Sequence, residues 1–224
     1  MNVGILGSGI VGRTLGAGLI ERGHDVVLGT RDPRRADLGQ WAAALGERIR
    51  TGTFADAAGA GPILVLAVAW PGTEHVLQLA GRERLAGKVL VDVTNPLDFS
   101  SGLPPRLDIG HADSGAEQIQ RWAPDARVVK AFNTVIARHM VAPRVAGSRA
   151  AMFVAGDDDG AKSQVIGLAD ELGWRGEDVG PLARARLLEP MALFTLCRVL
   201  ESGRDDFILG FRDALSGDGP AGTA

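Results

Sequence analysis

Sulfur and aromatic chemistry are scarce in this chain: one cysteine, no tyrosine and 5% aromatic residues among 224 positions. A single thiol, Cys197, excludes an internal disulfide and suits a reducing compartment. An excess of either charge is also missing, since 24 basic and 27 acidic side chains leave a formal charge of −3. That balance argues against a general nucleic-acid or membrane-surface binder. No apolar run approaches the about 20 residues that cross a bilayer. The opening MNVGILGSGIVG carries no basic leader and reads as mature protein. A cytoplasmic protein is expected, with no nucleic-acid and no membrane partner. None of the four histidines stands at a diagnostic spacing from a carboxylate or nucleophile. No metal site is expected, and no residue is assigned a catalytic role. His75 and His111 stay open as contributors.

What the chain does have is 46% apolar residues, enough to bury a substantial core. They fall in short runs that alternate with helical patterns. Strands are expected at 3–6, 25–28, 51–53, 61–70, 88–96, 128–132, 150–155 and 174–179, the last as an edge. Helices are expected at 10–22, within 33–47, at 73–80, from 114 or 115 to 122, near 134 and at 161–172. Residues 55–60 read as a turn. Two prolines and two glycines make 97–110 read as an ordered loop. This alternation implies an α/β protein: a Rossmann-like, doubly wound, mostly parallel sheet over residues 1–180. Residues 181–200 read as helix, with a bend at Pro190, so 181–215 form a small C-terminal helical extension. The tail 216–224 is expected to be disordered.

The first strand runs into Gly7-Ser8-Gly9-Ile10-Val11-Gly12 and then a helix. Each glycine has its own reason: Gly7 for the turn, Gly9 for close approach of a pyrophosphate, Gly12 for tight helix–strand packing. The free N–H groups of the helix start then face the anion. Ser8 is either a phosphate contact or a small turn residue. An acidic residue commonly ends the second strand to hold the ribose hydroxyls of NAD. Here VVLGTR ends in Thr30 and Arg31, which suit a 2′-phosphate, so NADP(H) is the expected cofactor. Arg34 and Arg35 are both near enough to complete a basic pocket. Asp32 either offsets them or caps the next helix.

Three further strand ends, AVAWP, DVTNP and KAFNT, reach the nicotinamide side of such a fold. Ala69 is small enough to let a cofactor pass. Trp70 either walls the nicotinamide or packs in the core. Asn95 and Asn133 either touch the ligand or bind neighbouring loops. With no acid–base pair in view, hydride exchange with a small-molecule redox acceptor that needs mainly alignment is favoured over ketone reduction.

Taken together, GSGIVG, VVLGTR, DVTNP, SGAEQIQRWAPDARVVKAFNT and LLEPMALF give a chain that resembles the coenzyme F420-dependent NADP oxidoreductases. The likeness spans roughly residues 1–200. It implies a Rossmann-like domain with a small helical C-terminal part, paired as a homodimer. It also implies hydride passing between nicotinamide C4 and deazaflavin C5. By position it implies that Ser8 meets the pyrophosphate and that Thr30 and Arg31 hold the 2′-phosphate. Arg35 adds a basic contact, and the amides of Ile10 and Val11 face the cofactor. The chain departs from the resemblance at DFSSGLPPRLDIG and at Phe132, so the deazaflavin side is not matched residue by residue. The alternatives are another acceptor (flavin, quinone, imine or metal complex) and a non-catalytic NADPH-binding regulator.

Overall fold

Period-two alternation along short strands builds two cores, one on each side of a sheet. In β1 (Asn2–Leu6), Val3 and Ile5 enter one core and Leu6 the other. In β4 (Ile63–Leu66), Ile63 and Val65 face one way, Leu64 and Leu66 the other, and all four are buried. β2 (Asp25–Gly29) and β5 (Val89–Asp92) split in the same manner. Helices α1 (Ile10–Glu21), α2 (Ala36–Leu45) and α7 (Asp159–Glu171) cover the first face. Helices α3 (Phe54–Ala58), α4 (Thr73–Ala80) and α6 (Gly115–Trp122) cover the second, with the short α5 (Arg82–Leu85) beside α4. The fold is a doubly wound, Rossmann-like α/β sandwich with a C-terminal helical extension. The computed structural model describes residues 1–143 and 149–210.

With β3 (Ile49–Gly52), β8 (Arg127–Lys130), β9 (Ala151–Gly156) and β10 (Arg175–Gly180), the eight-stranded sheet runs β10-β9-β8-β5-β4-β1-β2-β3. All neighbours are parallel except β8 and β9. The chain enters β2 on one side of β1 and β4 on the other. This reversal opens a crevice at the carboxyl ends of those strands.

Three local expectations are corrected. Residues 55–60 are not a turn leading away: α3 forms there because Thr53 and Asp56 make a reciprocal capping box. Within 97–110 a small antiparallel pair forms, β6 (Leu97–Asp98) with β7 (Arg106–Leu107). No α-helix begins near Thr134; Phe132 turns out of β8 with φ of 60°, and a single 3₁₀ turn follows at Ala137–His139. Among the described residues no crossover α-helix joins β8 to β9, consistent with β9 pairing antiparallel. Helix α8 (Ala185–Ser202) passes through Pro190 as one helix. The expectation of a disordered tail at 216–224 lies outside the described residues.

Candidate functional site

A cleft of about 1050 Å³ lies over the carboxyl ends of β1, β2 and β4. Its floor is the glycine turn, and the three glycines are explained by what a Cβ would meet. At Gly7 (φ +135°) a Cβ would stand 2.1 Å from the Ala67 carbonyl oxygen. At Gly12 it would stand 2.1 Å from the Gly7 carbonyl oxygen, so α1 could not pack where it does. At Gly9 it would meet nothing within 4 Å: that glycine borders open space. Gly9 is the N-cap of α1 with no side-chain capping bond, and the first turn holds no acidic residue. The opening amides of α1 are thus left for an anion, which the macrodipole favours. These features fit the diphosphate of a dinucleotide.

One wall carries the basic cluster. Thr30 is buried, and its hydroxyl accepts a 3.1 Å hydrogen bond from Ser8 Oγ, joining the glycine turn to the end of β2. Arg31, Asp32 and Arg35 line the cleft; Arg34 is not among its lining residues. The Asp32 carboxylate accepts the Arg34 amide at 3.0 Å, so it caps that turn, while α2 starts later, at Ala36. Arg13 also lines the cleft, a residue that the sequence reading did not single out. Its Nε donates to the Ser8 carbonyl oxygen at 3.0 Å and its guanidinium lies 6.0 Å from the Trp41 ring centre. Asp37 accepts from Arg13 at 2.5 Å and from Arg35 at 3.1 and 2.8 Å. Those hydrogen bonds, Arg13 first and Arg35 second, hold the Asp37 carboxyl below the usual range. Arg13 was legible only as the fourth residue past Gly9, one helical turn on from the N-cap.

The opposite wall holds Phe54, Ala69, Pro71, Gly72, Val76 and His75, which does border the cleft. An adjoining lobe of about 270 Å³ is lined by Gly9, Ile10, Val11, Ala67, Val68, Ala69 and Val93. None of these seven residues has a side chain that can titrate. Ile10 is 74% exposed, an unusual position for isoleucine unless something covers it.

Trp70, Asn95 and Asn133 stand elsewhere. Trp70 is buried, stacks on Trp122 with ring centres 5.5 Å apart and donates its indole N–H to Asp108 at 2.8 Å. The packing alternative applies to it. Asn133 donates to Asn95 Oδ1 and to the Leu188 carbonyl, both at 3.0 Å, and Asn95 returns a bond to the Asn133 carbonyl at 2.9 Å. Their amides tie strand ends to each other and to α8; neither residue lines the cleft or its lobe. His111 lies in the loop before α6 with φ of 60°, and His24 pairs with Glu171 at 2.6 Å; neither borders the cleft. Among the described residues no group of histidine, cysteine and carboxylates could hold a metal ion. No described helix is long and apolar enough to cross a membrane.

Behind the site lies a charge cluster that sequence reasoning missed. Lys130 Nζ donates to Asp92 Oδ2 at 2.8 Å, Glu189 Oε1 at 2.8 Å and the Thr94 carbonyl at 2.7 Å. Asp92, Lys130 and Glu189 are all buried. Burial alone would favour the neutral amine, but the two carboxylates outweigh it and hold Lys130 above its ordinary range. Burial pushes the Glu189 carboxyl up, against the pull of Lys130.

Comparison with known proteins agrees with this geometry. Residues 2–96 match the family model described as NADP oxidoreductase, coenzyme F420-dependent. The solved structure of a candidate F420-dependent NADP reductase from Arthrobacter sp. FB24 superposes with a TM-score of 0.89 at 39% identity. It covers 95% of this chain and 100% of that one. The F420-dependent NADP reductase of Methanothermobacter marburgensis is 30% identical over 84% of this chain and 88% of its own length. The metalloreductase STEAP3 of Rattus norvegicus is 34% identical over 85% of this chain. The chain spans only 36% of that metalloreductase's length.

Proposed function

The chain belongs to the family of coenzyme F420-dependent NADP oxidoreductases, and we propose that it moves hydride between NADPH and coenzyme F420 or a similar organic redox acceptor. The observation that carries this reading is the adjoining lobe, whose seven lining residues offer no acidic or basic side chain. Reduction of a ketone needs a proton donor at the developing alkoxide, whereas hydride exchange between two flat ring systems needs alignment and dryness. NADPH supplies the hydride when bound. The residues do the rest. The amides of Ile10 and Val11 face the diphosphate across Gly9, with Ser8 beside them. Thr30, Arg31 and Arg35 hold the 2′-phosphate. Ala67 and Ala69 keep the backbone of the strand end low under the nicotinamide, and Val11, Val68 and Val93 exclude water there. Trp70, Asn95 and Asn133 act at one remove, by fixing the ends of the strands.

The protein is proposed to work in the cytoplasm as a homodimer. Leu187 and Phe194, seven residues apart on α8, are 58% and 60% exposed, an apolar stripe that a second copy would cover. Leu187→Glu with Phe194→Glu should then yield a monomer by light scattering.

A second reading is reduction of another acceptor: a flavin, quinone, imine or metal complex. The likeness to a metalloreductase favours it. One assay separates the two. Purified protein is mixed with NADPH and, in turn, F420, free flavins, quinones and ferric chelates, following nicotinamide absorbance. Turnover with F420 supports the first reading, and turnover only with another acceptor replaces it. Tight NADPH binding with no turnover anywhere points to a regulator.

A further inference from the structure

We propose that Asp37 is a positioning residue for coenzyme choice: it presents Arg13 and Arg35 as a preformed pair of cations to the 2′-phosphate of NADPH. The inference rests on the reading that the cleft takes NADPH. One carboxylate oxygen of Asp37 accepts from Arg13 Nη2 at 2.5 Å and from Arg35 Nη2 at 2.8 Å, and the other accepts from Arg35 Nε at 3.1 Å. Both arginines line the cleft, although Arg13 comes from α1 and Arg35 from the N-cap of α2. Two like charges do not share a small volume unaided, and long arginine side chains are free to turn to solvent. Asp37 opposes both tendencies. Arg13 is steadied further by the Ser8 carbonyl and the face of Trp41. Its placement therefore links the glycine turn, where the diphosphate sits, to the basic wall at the end of β2.

A role in stability does not account for the arrangement. The side chains of Asp37 and Arg35 are 49% and 45% exposed, and ion pairs that exposed contribute little to folding. Nor is Asp37 a general counter-charge, because it spends both oxygens on two arginines in ligand-ready positions. The opposing charge that faces the same space is Asp32, which is turned to the Arg34 amide. A cluster of Arg13, Arg31 and Arg35 then meets the phosphate with its forks already aimed, and NADH gains nothing from that alignment.

The test is Asp37→Ala, with Asp37→Glu as the conservative variant, measuring Kd for NADPH and NADH by fluorescence titration at fixed ionic strength. Asp37→Ala should weaken NADPH by about tenfold, the scale of one charge-assisted bond, while NADH shifts by less than about twofold. Asp37→Glu should restore most of the NADPH affinity. A tightened NADPH Kd in Asp37→Ala would show a carboxylate that merely repels phosphate, an unchanged Kd one that plays no part in binding, and equal weakening of both coenzymes a structural role. Each of these results overturns the proposal. A wild-type chain without any preference for NADPH overturns the coenzyme reading itself, and the proposal with it.

Discussion

Replacing Lys130 with methionine should destabilise the protein severely, and more so in alkali than in acid. Methionine keeps the length of the side chain but removes the one cation between two buried carboxylates. Breaking a buried ion pair from one side costs about 3–5 kcal/mol, because the partner is left charged and dry. Two partners are stranded here, but each keeps other donors. Glu189 accepts from the amides of Gly115 and Ala116 at 2.9 and 3.1 Å. Asp92 accepts from Thr94 N and Oγ1 at 2.8 and 2.7 Å. The expected loss therefore stays within the single-pair range. For a chain of this size that corresponds to a melting temperature lower by about 6–20 °C. The pH dependence has a definite sign. Glu189 already titrates above the ordinary range because of burial, and losing Lys130 moves it further up. A carboxyl with a raised folded pKa binds extra protons in the folded state. Its stabilising effect is present below the unfolded value of about 4.3 and is lost as pH rises through the folded value. The gap between variant and wild type should thus widen as pH rises from about 4.3. Thermal melts followed by far-UV circular dichroism across that range measure it. A variant that melts within about 2 °C of wild type, or whose deficit grows in acid, refutes the reasoning.

Three other perturbations follow from the same geometry. Arg31→Ala should weaken NADPH by about 1.5–3 kcal/mol, the range for hydrogen bonds to charged groups, and leave NADH nearly unaffected; equal losses in a titration of both would remove the phosphate assignment. Gly12→Ala drives a methyl to 2.1 Å from the Gly7 carbonyl oxygen, so α1 must shift. A stability loss of about 1–3 kcal/mol in urea denaturation, with NADPH affinity falling too, is expected. Glu117→Gln tests the α6–α8 contact. The Arg186 hydrogen bonds at 2.5 and 2.8 Å hold Glu117 below its ordinary range. Its share of stability is present above about pH 4.3 and lost as pH falls through the depressed value. The glutamine variant should show a flatter decline of the urea midpoint below that pH.

Much of this arrangement is legible in the sequence where one residue type has one physical reason. Gly7 and Gly12 are explained by local packing, and Thr30 and Arg31 by register after β2. The alternation of the strands follows from burial on both faces. What was missed depends on long-range company. Arg13 and Asp37 are ordinary helix-surface residues until α1 and α2 lie side by side at the cleft. Asp92, Lys130 and Glu189 are separated by 38 and 59 positions, so nothing local announces their meeting. The helix expected near Thr134 failed for a comparable reason: Phe132 adopts φ of 60° while its amide faces the Met152 sulfur, a partner twenty residues away.

Three of the motifs that carry the resemblance, DVTNP, KAFNT and LLEP, meet one another more than they meet the cleft. Asp92, Thr94 and Asn95 come from the first, Lys130 and Asn133 from the second, Leu188 and Glu189 from the third. Together they form a buried clamp that fastens α8 to the ends of β5 and β8. The clamp still reaches the apolar lobe through one residue. Val93, between Asp92 and Thr94, lines the apolar lobe beside Gly9 and Ala69. Asn95 and Asn133 bond to each other and to the Leu188 carbonyl, and neither is among the residues that line that lobe. On the proposed function, exchanging the lobe lining at Ile10, Val11, Val68 and Val93 would change the acceptor while the clamp stays intact. These motifs are thus signatures of the architecture that holds the apolar lobe in place, and on the proposed function the choice of acceptor lies with the side chains that face it.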